Sequence, residues 1–209
     1  MIPIIIADGC LYKCDFCSVK TKADYKKRSL DNIHTQIIKL KEFYSHDLNN
    51  HNSIFLAQND ALNAGIDLIE FSAKCSYDIM KLGESNLSGL NLFLFGSVDS
   101  LNDSGWNVFD RLENLPFKTY INIGFESADN ETLKKLGKTV TAHQIEQSFI
   151  KMMEINRAYE KIDISANFVF GNDLPTNHLD SIFHLSEKHV DHPFGGGCLA
   201  DVIGGIAGA

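Results

Sequence analysis

Residues 10–17 read "CLYKCDFC", three cysteines within eight residues, directly after the apolar run "IPIIIA" at 2–7. That run is short, continuous and rich in isoleucine, as a buried strand is. The gaps between the thiols are three residues and then two. A turn that concentrates three thiols at the end of a strand is a candidate metal or cluster site. Which fold presents it depends on the strands and helices of the remaining chain.

A helix pattern comes next, with Ile33, Ile37, Leu40 and Tyr44 on one stripe and Ser29 or Asp31 available as its cap. "SIFLA" at 53–57 reads as a second strand, and a helical stretch covers about 64–82. "LNLFLFG" at 90–96 is a third strand, with a short helix after it near 105–113. "TYINIGF" at 119–125 is the fourth. Two helical pieces come after it: one carries Leu133 and Leu136 and ends at Gly137; the other starts at Thr141 with Gln144 as a capping box. The second piece has the stripe Ile145, Phe149, Met152 and Met153. "IDISANFVFG" at 162–171 is a fifth strand, and "HLDSIFHLSEKHV" is the helix after it.

Strand and helix thus alternate five times, which builds an α/β fold with a parallel sheet. The strands are apolar nearly throughout, so both faces are expected to be covered. An open doubly wound sheet and a (β/α)5–6 part-barrel both fit this pattern, and in either the site lies at the C-terminal strand ends. The cysteine turn leaves that edge. The tail at 194–209 is glycine-rich and is expected to give a weak sixth strand or a frayed end of a single domain spanning 1–209.

Composition narrows the function classes. The 209 residues are 44% apolar and 22% charged, with a net charge of −8. That balance does not indicate a nucleic-acid binder. Lys20, Lys22, Lys26, Lys27 and Arg28 form a local basic stretch after the cysteines, a solvated turn or an entrance for an anionic substrate. No stretch is long enough to span a membrane, and the start lacks a signal-peptide pattern, so the expected compartment is the cytoplasm. Five cysteines without a secretion signal argue against a disulfide framework. Cys75 reads as a buried apolar residue of a helix, and Cys198 has no assigned role.

Structural zinc wants four ligands, commonly in two pairs, and the sequence has no second cysteine pair. The eight histidines, at 34, 46, 51, 143, 178, 184, 189 and 192, are scattered. An iron–sulfur cube held by three thiolates keeps one iron open for a substrate or cofactor.

Cys10, Cys14 and Cys17, with Phe16 before the last cysteine and a strand before the first, resemble the motif of the radical S-adenosylmethionine (SAM) superfamily. Three further stretches are similar to it. "FLAQNDAL" at 55–62 ends the second strand, where the resemblance places contacts to the SAM amino group; Gln58, Asn59 and Asp60 stand there instead of the usual glycines. "GFESADNETLKKLGK" at 124–138 resembles the branch of oxygen-independent coproporphyrinogen oxidases and tRNA methylthiotransferases. There the resemblance implies that Glu126 and Ser127 face the ribose or methionyl part of SAM and that Lys138 approaches its carboxylate. The other reading of Glu126 is a local cap for the helix that Asp129 begins. "NFVFGNDLP" at 167–175 resembles the segment near adenine, with Asn167 at its first position.

The resemblance implies a (β/α) part-barrel, a [4Fe-4S] cluster on Cys10, Cys14 and Cys17, and SAM chelating the open iron. It also implies reductive cleavage of SAM to a 5′-deoxyadenosyl radical that takes hydrogen from a substrate. Such an enzyme needs an external one-electron reductant, flavodoxin- or ferredoxin-like, and is sensitive to oxygen. The substrate is not legible. The rival class is a non-catalytic iron–sulfur or zinc module.

Overall fold

The computed structural model describes residues 1–12, 14–17, 23–57 and 59–189. The expectations for Lys20, Lys22, Gln58, His192, Cys198 and a sixth strand lie outside the described residues.

Five parallel strands form one sheet in the order β1 (Ile2–Ile4), β4 (Ser53–Leu56), β5 (Asn91–Gly96), β6 (Lys118–Glu126), β7 (Ile162–Phe168). Sequence order equals spatial order, as expected when each crossover helix returns the chain beside the strand it left. The main helices are α1 (Leu30–Tyr44), α2 (Ile66–Met80), α3 (Val98–Asp103), α4 (Trp106–Glu113), α5 (Asn130–Lys135), α6 (Ala142–Ala158) and α7 (Asn177–His189). Among the described residues the result is a part-barrel of five strands.

Alternate strand residues carry the core. Ile2, Ile4, Ile54, Leu56, Leu92, Leu94, Ile121, Ile123, Ile162 and Ile164 are buried together with Ile33 and Ile37 of α1 and Ile145, Phe149 and Met152 of α6. Each fully buried aliphatic side chain contributes about 1.5–3 kcal/mol of transfer free energy, so this face holds the sheet and its helices together. Ser29 caps α1, and Thr141 with Gln144 forms the capping box of α6.

The other face corrects the expectation that both are covered. Pro3, Ile5 and Phe95 are exposed, and Phe55, Phe93, Tyr120, Asn122 and Ser165 are only half-buried. Phe93 stacks on Tyr120 with ring centroids 5.1 Å apart, and Phe55 meets Phe95 edge-on at 5.3 Å. These side chains line a cavity of about 490 Å³ on the concave face. The strands are apolar on both faces because one face packs on helices and the other lines a barrel interior.

Two more details differ from the sequence reading. The first strand stops at Ile4, because Ile5 takes its backbone partners from a side chain. Gln36 of α1 accepts from the Ile5 N–H (2.8 Å) and donates to its carbonyl (3.0 Å). The chain then enters a two-residue strand, β2 (Ala7–Asp8), paired antiparallel with β3 (Lys26–Lys27). The second difference is α3, which the sequence reading omitted. Ser97 and Ser100 make its capping box, and Val98 and Leu101 anchor it in the core.

Candidate active site

The cysteine turn is held at its base and on two sides. At the base, the β2–β3 ribbon is closed by Arg28, which donates to both Asp8 oxygens at 2.7 and 2.9 Å. That guanidinium holds the Asp8 carboxyl below its usual range. Arg28 is thus committed to the ribbon, while Lys26 and Lys27 remain exposed.

On one side, the Tyr12 hydroxyl donates to Asp99 Oδ2 (3.1 Å) and lies 3.0 Å from Ser97 Oγ, both at the start of α3. Burial, set against the Ser97 bond and reinforced by Asp60 and Asp99, pushes Tyr12 up to about 12. Behind this contact sits Asp60, 3% exposed, accepting from Ser97 Oγ and Ser100 Oγ at 2.7 Å each. The Asn63 and Ser97 N–H groups also reach it, each at 3.3 Å. Asp60 was expected beside the SAM amino group. Its carboxylate instead faces inward and ties the turn after β4 to α3. Asn59 stands exposed in that same turn.

On the other side, the Asp15 N–H donates to the Leu136 carbonyl at 3.1 Å. This contact depends on Gly137. Its φ of +69° is the left-handed conformation that lets α5 end in a Schellman motif. In that motif the Gly137 N–H reaches Lys134 O, and the Lys138 N–H reaches Leu133 O. A Cβ on Gly137 would also lie 2.6 Å from Asp15 Oδ2.

The Schellman turn sends Lys138 back toward the end of β6. Its Nζ donates to the Gly124 carbonyl (3.0 Å), lies 3.3 Å from Glu126 Oε1, and sits 5.8 Å from the Phe16 ring centroid. Both members of the ion pair are largely buried, with side chains 15% and 13% exposed. Gly124 leaves room for it, since a Cβ there would meet Glu126 Oε1 at 2.6 Å.

Glu126 itself adopts φ +66°, a left-handed conformation unusual outside glycine, where the register with β7 slips. It does not cap α5, since Asp129 does so by accepting from the Thr132 N–H. Burial raises the Glu126 carboxyl above its ordinary value despite the opposing charge of Lys138. Burial likewise raises the Cys14 thiol; Lys138 opposes this, while Glu126, Cys10 and Cys17 reinforce it.

One rim therefore gathers Cys10, Cys14, Cys17, Phe16, Glu126 and Lys138. Two other expected contacts point elsewhere. Ser127 is fully buried, with its hydroxyl 2.9 Å from His178 Nδ1. Asn167 lies opposite Gly124 on β7 and exchanges two amide hydrogen bonds with Asn122, of 3.0 and 2.6 Å. Tyr12, Asp15, Asp99 and His178 were not singled out by sequence. Each meets a partner at least 51 residues away, so no local pattern marks it.

A protein-family model for the radical SAM superfamily matches residues 4–184. The chain belongs to the radical SAM superfamily. The cofactors of this superfamily are a [4Fe-4S] cluster and SAM. No curated protein matches the chain. Among solved structures, the cobalamin-dependent SAM radical enzyme OxsB with aqua-cobalamin bound aligns with a TM-score of 0.63 and 16% identity. That match covers 88% of this chain and 26% of OxsB. The radical SAM methyltransferase TsrM from Kitasatospora setae, with cobalamin and a [4Fe-4S] cluster bound, aligns with a TM-score of 0.57 and 16% identity. That match covers 89% of this chain and 32% of TsrM. The chain thus spans about a quarter to a third of these structures, and the likeness is one of fold.

The residues present suit the family's cofactors. Cys10, Cys14 and Cys17 are free thiols of intermediate exposure on one strapped turn. Among the described residues no three His, Cys, Asp or Glu side chains converge on a single metal ion. A cube takes each thiolate on a different iron, so its ligands need not converge on one point. No helix among the described residues is long and apolar enough to cross a membrane.

Proposed function

We propose that the rim binds a [4Fe-4S] cluster through Cys10, Cys14 and Cys17 and SAM through Glu126, Lys138, Phe16 and the turn at Asn59. When bound, the two cofactors supply reductive cleavage of SAM and a 5′-deoxyadenosyl radical that takes a hydrogen atom from the substrate. The observation that carries this reading is the position of Lys138. One ammonium lies 3.3 Å from the Glu126 carboxylate, faces Phe16 and acts electrostatically on Cys14, which links thiol, carboxylate and aromatic ring.

In this reading the protein's own residues have separate tasks. The three cysteines supply thiolates, and Lys138 favours the ionised form of Cys14. Glu126 offers a buried carboxylate to hydroxyl or ammonium donors, where a charge-assisted hydrogen bond is stronger than in water. Asp60 and Ser127 act from behind the site, fixing the strand ends. Below the rim, the aromatic concave face around Phe93 and Tyr120 offers the substrate a water-poor wall. An external one-electron donor is required.

Anaerobic reconstitution with iron and sulfide, reduction, and assay for 5′-deoxyadenosine with and without SAM test the reading. Formation of 5′-deoxyadenosine only with SAM and reductant is expected. A colourless zinc protein that leaves SAM intact would overturn it.

A further inference from the structure

Behind the rim lies a buried histidine that the proposed chemistry does not use. His178, near the start of α7, is 2% exposed. Its Nε2 is 2.7 Å from the Val169 carbonyl, which only accepts, so Nε2 carries the proton. Its Nδ1 is 2.9 Å from Ser127 Oγ. That hydroxyl already accepts from the Asp129 N–H at 3.0 Å, so its own proton is free to go to Nδ1. The chain of hydrogen bonds runs from the α5 N-terminus through Ser127 and the imidazole to the end of β7. A further bond closes the ring, since the Val169 N–H donates to the Glu126 carbonyl at 3.0 Å.

This ring encloses a backbone position that needs enforcement. Glu126 holds φ +66° in a bulge, a conformation that persists only when its surroundings over-determine it. Its carbonyl is fixed by Val169, and its neighbour Ser127 by His178.

We infer that His178 is a positioning residue that clamps the ends of β6 and β7 together, holds Glu126 in its left-handed conformation and so aims the Glu126 carboxylate into the rim. The inference rests on the reading of Glu126 as a SAM contact. Without the clamp, the chain at Glu126 relaxes toward ordinary extended backbone and the competent fraction falls. Apparent affinity falls by the same fraction.

The test is a double-mutant cycle on anaerobically reconstituted protein, reading SAM affinity and iron content. Glu126→Ala is expected to weaken SAM binding. His178→Phe, which fills the space without either hydrogen bond, is expected to weaken it about tenfold at unchanged iron content. The double variant is expected to bind no worse than Glu126→Ala alone, because His178 acts only through Glu126. His178→Gln, which can keep the bond to Val169, is expected to recover part of the loss. Should His178→Phe fail to fold, Ser127→Ala and His178→Gln carry the same cycle. If Glu126→Ala leaves affinity unchanged, the reading of Glu126 falls and the clamp with it. If Glu126→Ala weakens binding but the histidine variants have no effect, or add fully to it, the clamp alone is wrong.

Discussion

Two carboxylate–cation groups in this protein show opposite electrostatics. On the outer surface, Arg111 of α4 spans Asp67 and Glu70 of α2, and Lys74 adds a second cation to Glu70. Bonds from Lys74 and then Arg111 lower the Glu70 carboxyl below its ordinary value. At the rim, Glu126 has Lys138 at 3.3 Å, yet burial prevails and its carboxyl is raised. The outer group is the more exposed, with Asp67 and Lys74 open to solvent, and it settles helix against helix. The rim pair bears a desolvation penalty that its own partner does not offset. Its strained backbone and its position among three cysteines point the same way. Buried, raised carboxyls and strained backbone cluster at functional sites, which is why the pair is proposed as a cofactor contact.

The comparison breaks most completely if the rim has no cluster to face. Cys14→Ser should abolish assembly of about four irons per chain, the content of one cube, and with it all SAM cleavage. Iron and acid-labile sulfide analysis after reconstitution checks this. Full iron content in the variant would mean that the turn is not the cluster ligand.

A second prediction sharpens the sign. Because the folded-state Glu126 carboxyl is raised, both folded and unfolded chains hold its proton below the ordinary carboxylate value. As pH rises past that value the unfolded chain ionises first, and this group's contribution to stability falls until the folded carboxyl has ionised too. Glu126→Gln should therefore remove part of the decline in apo-protein stability on going from acid toward neutral pH, while weakening SAM binding. Denaturant unfolding of both proteins across pH checks it. A larger decline in the variant would mean that Lys138 outweighs burial. Glu70→Gln should show the reverse trend, since a lowered carboxyl contributes stability that is lost as pH falls through its folded value.

The smallest effect is expected on the outer surface. Arg111→Ala should leave iron content and SAM affinity unchanged and alter the melting temperature little, less still at high salt. A loss of SAM affinity there would erase the contrast between the two groups.

How much of the fold and site was legible in the sequence depends on how far each signal reaches along the chain. Five strands, the helices other than α3 and the capping residues Ser29 and Thr141 are local patterns, and they read correctly apart from the shorter first strand. The cysteine turn is equally local. Glu126 and Lys138 stood in one quoted segment, but their pairing depends on the Gly137 turn that throws Lys138 back across α5. Asp60 was read from its place in a motif, and the structure gives its carboxylate to Ser97 and Ser100 of a helix the sequence reading omitted. The Tyr12–Asp99 and Ser127–His178 contacts join residues 87 and 51 positions apart. Only the sheet order brings them together. The open concave face was misread because an apolar strand residue looks the same whether it meets a helix or a barrel interior.

The central claim is that the cysteine turn and the Glu126–Lys138 pair border one cofactor site. Electron paramagnetic resonance of the reduced, reconstituted protein, recorded with and without SAM, tests it most directly. A cube signal that changes on adding SAM, and changes far less in Glu126→Ala, is the expected result. A signal indifferent to SAM in the unmodified protein would contradict the claim.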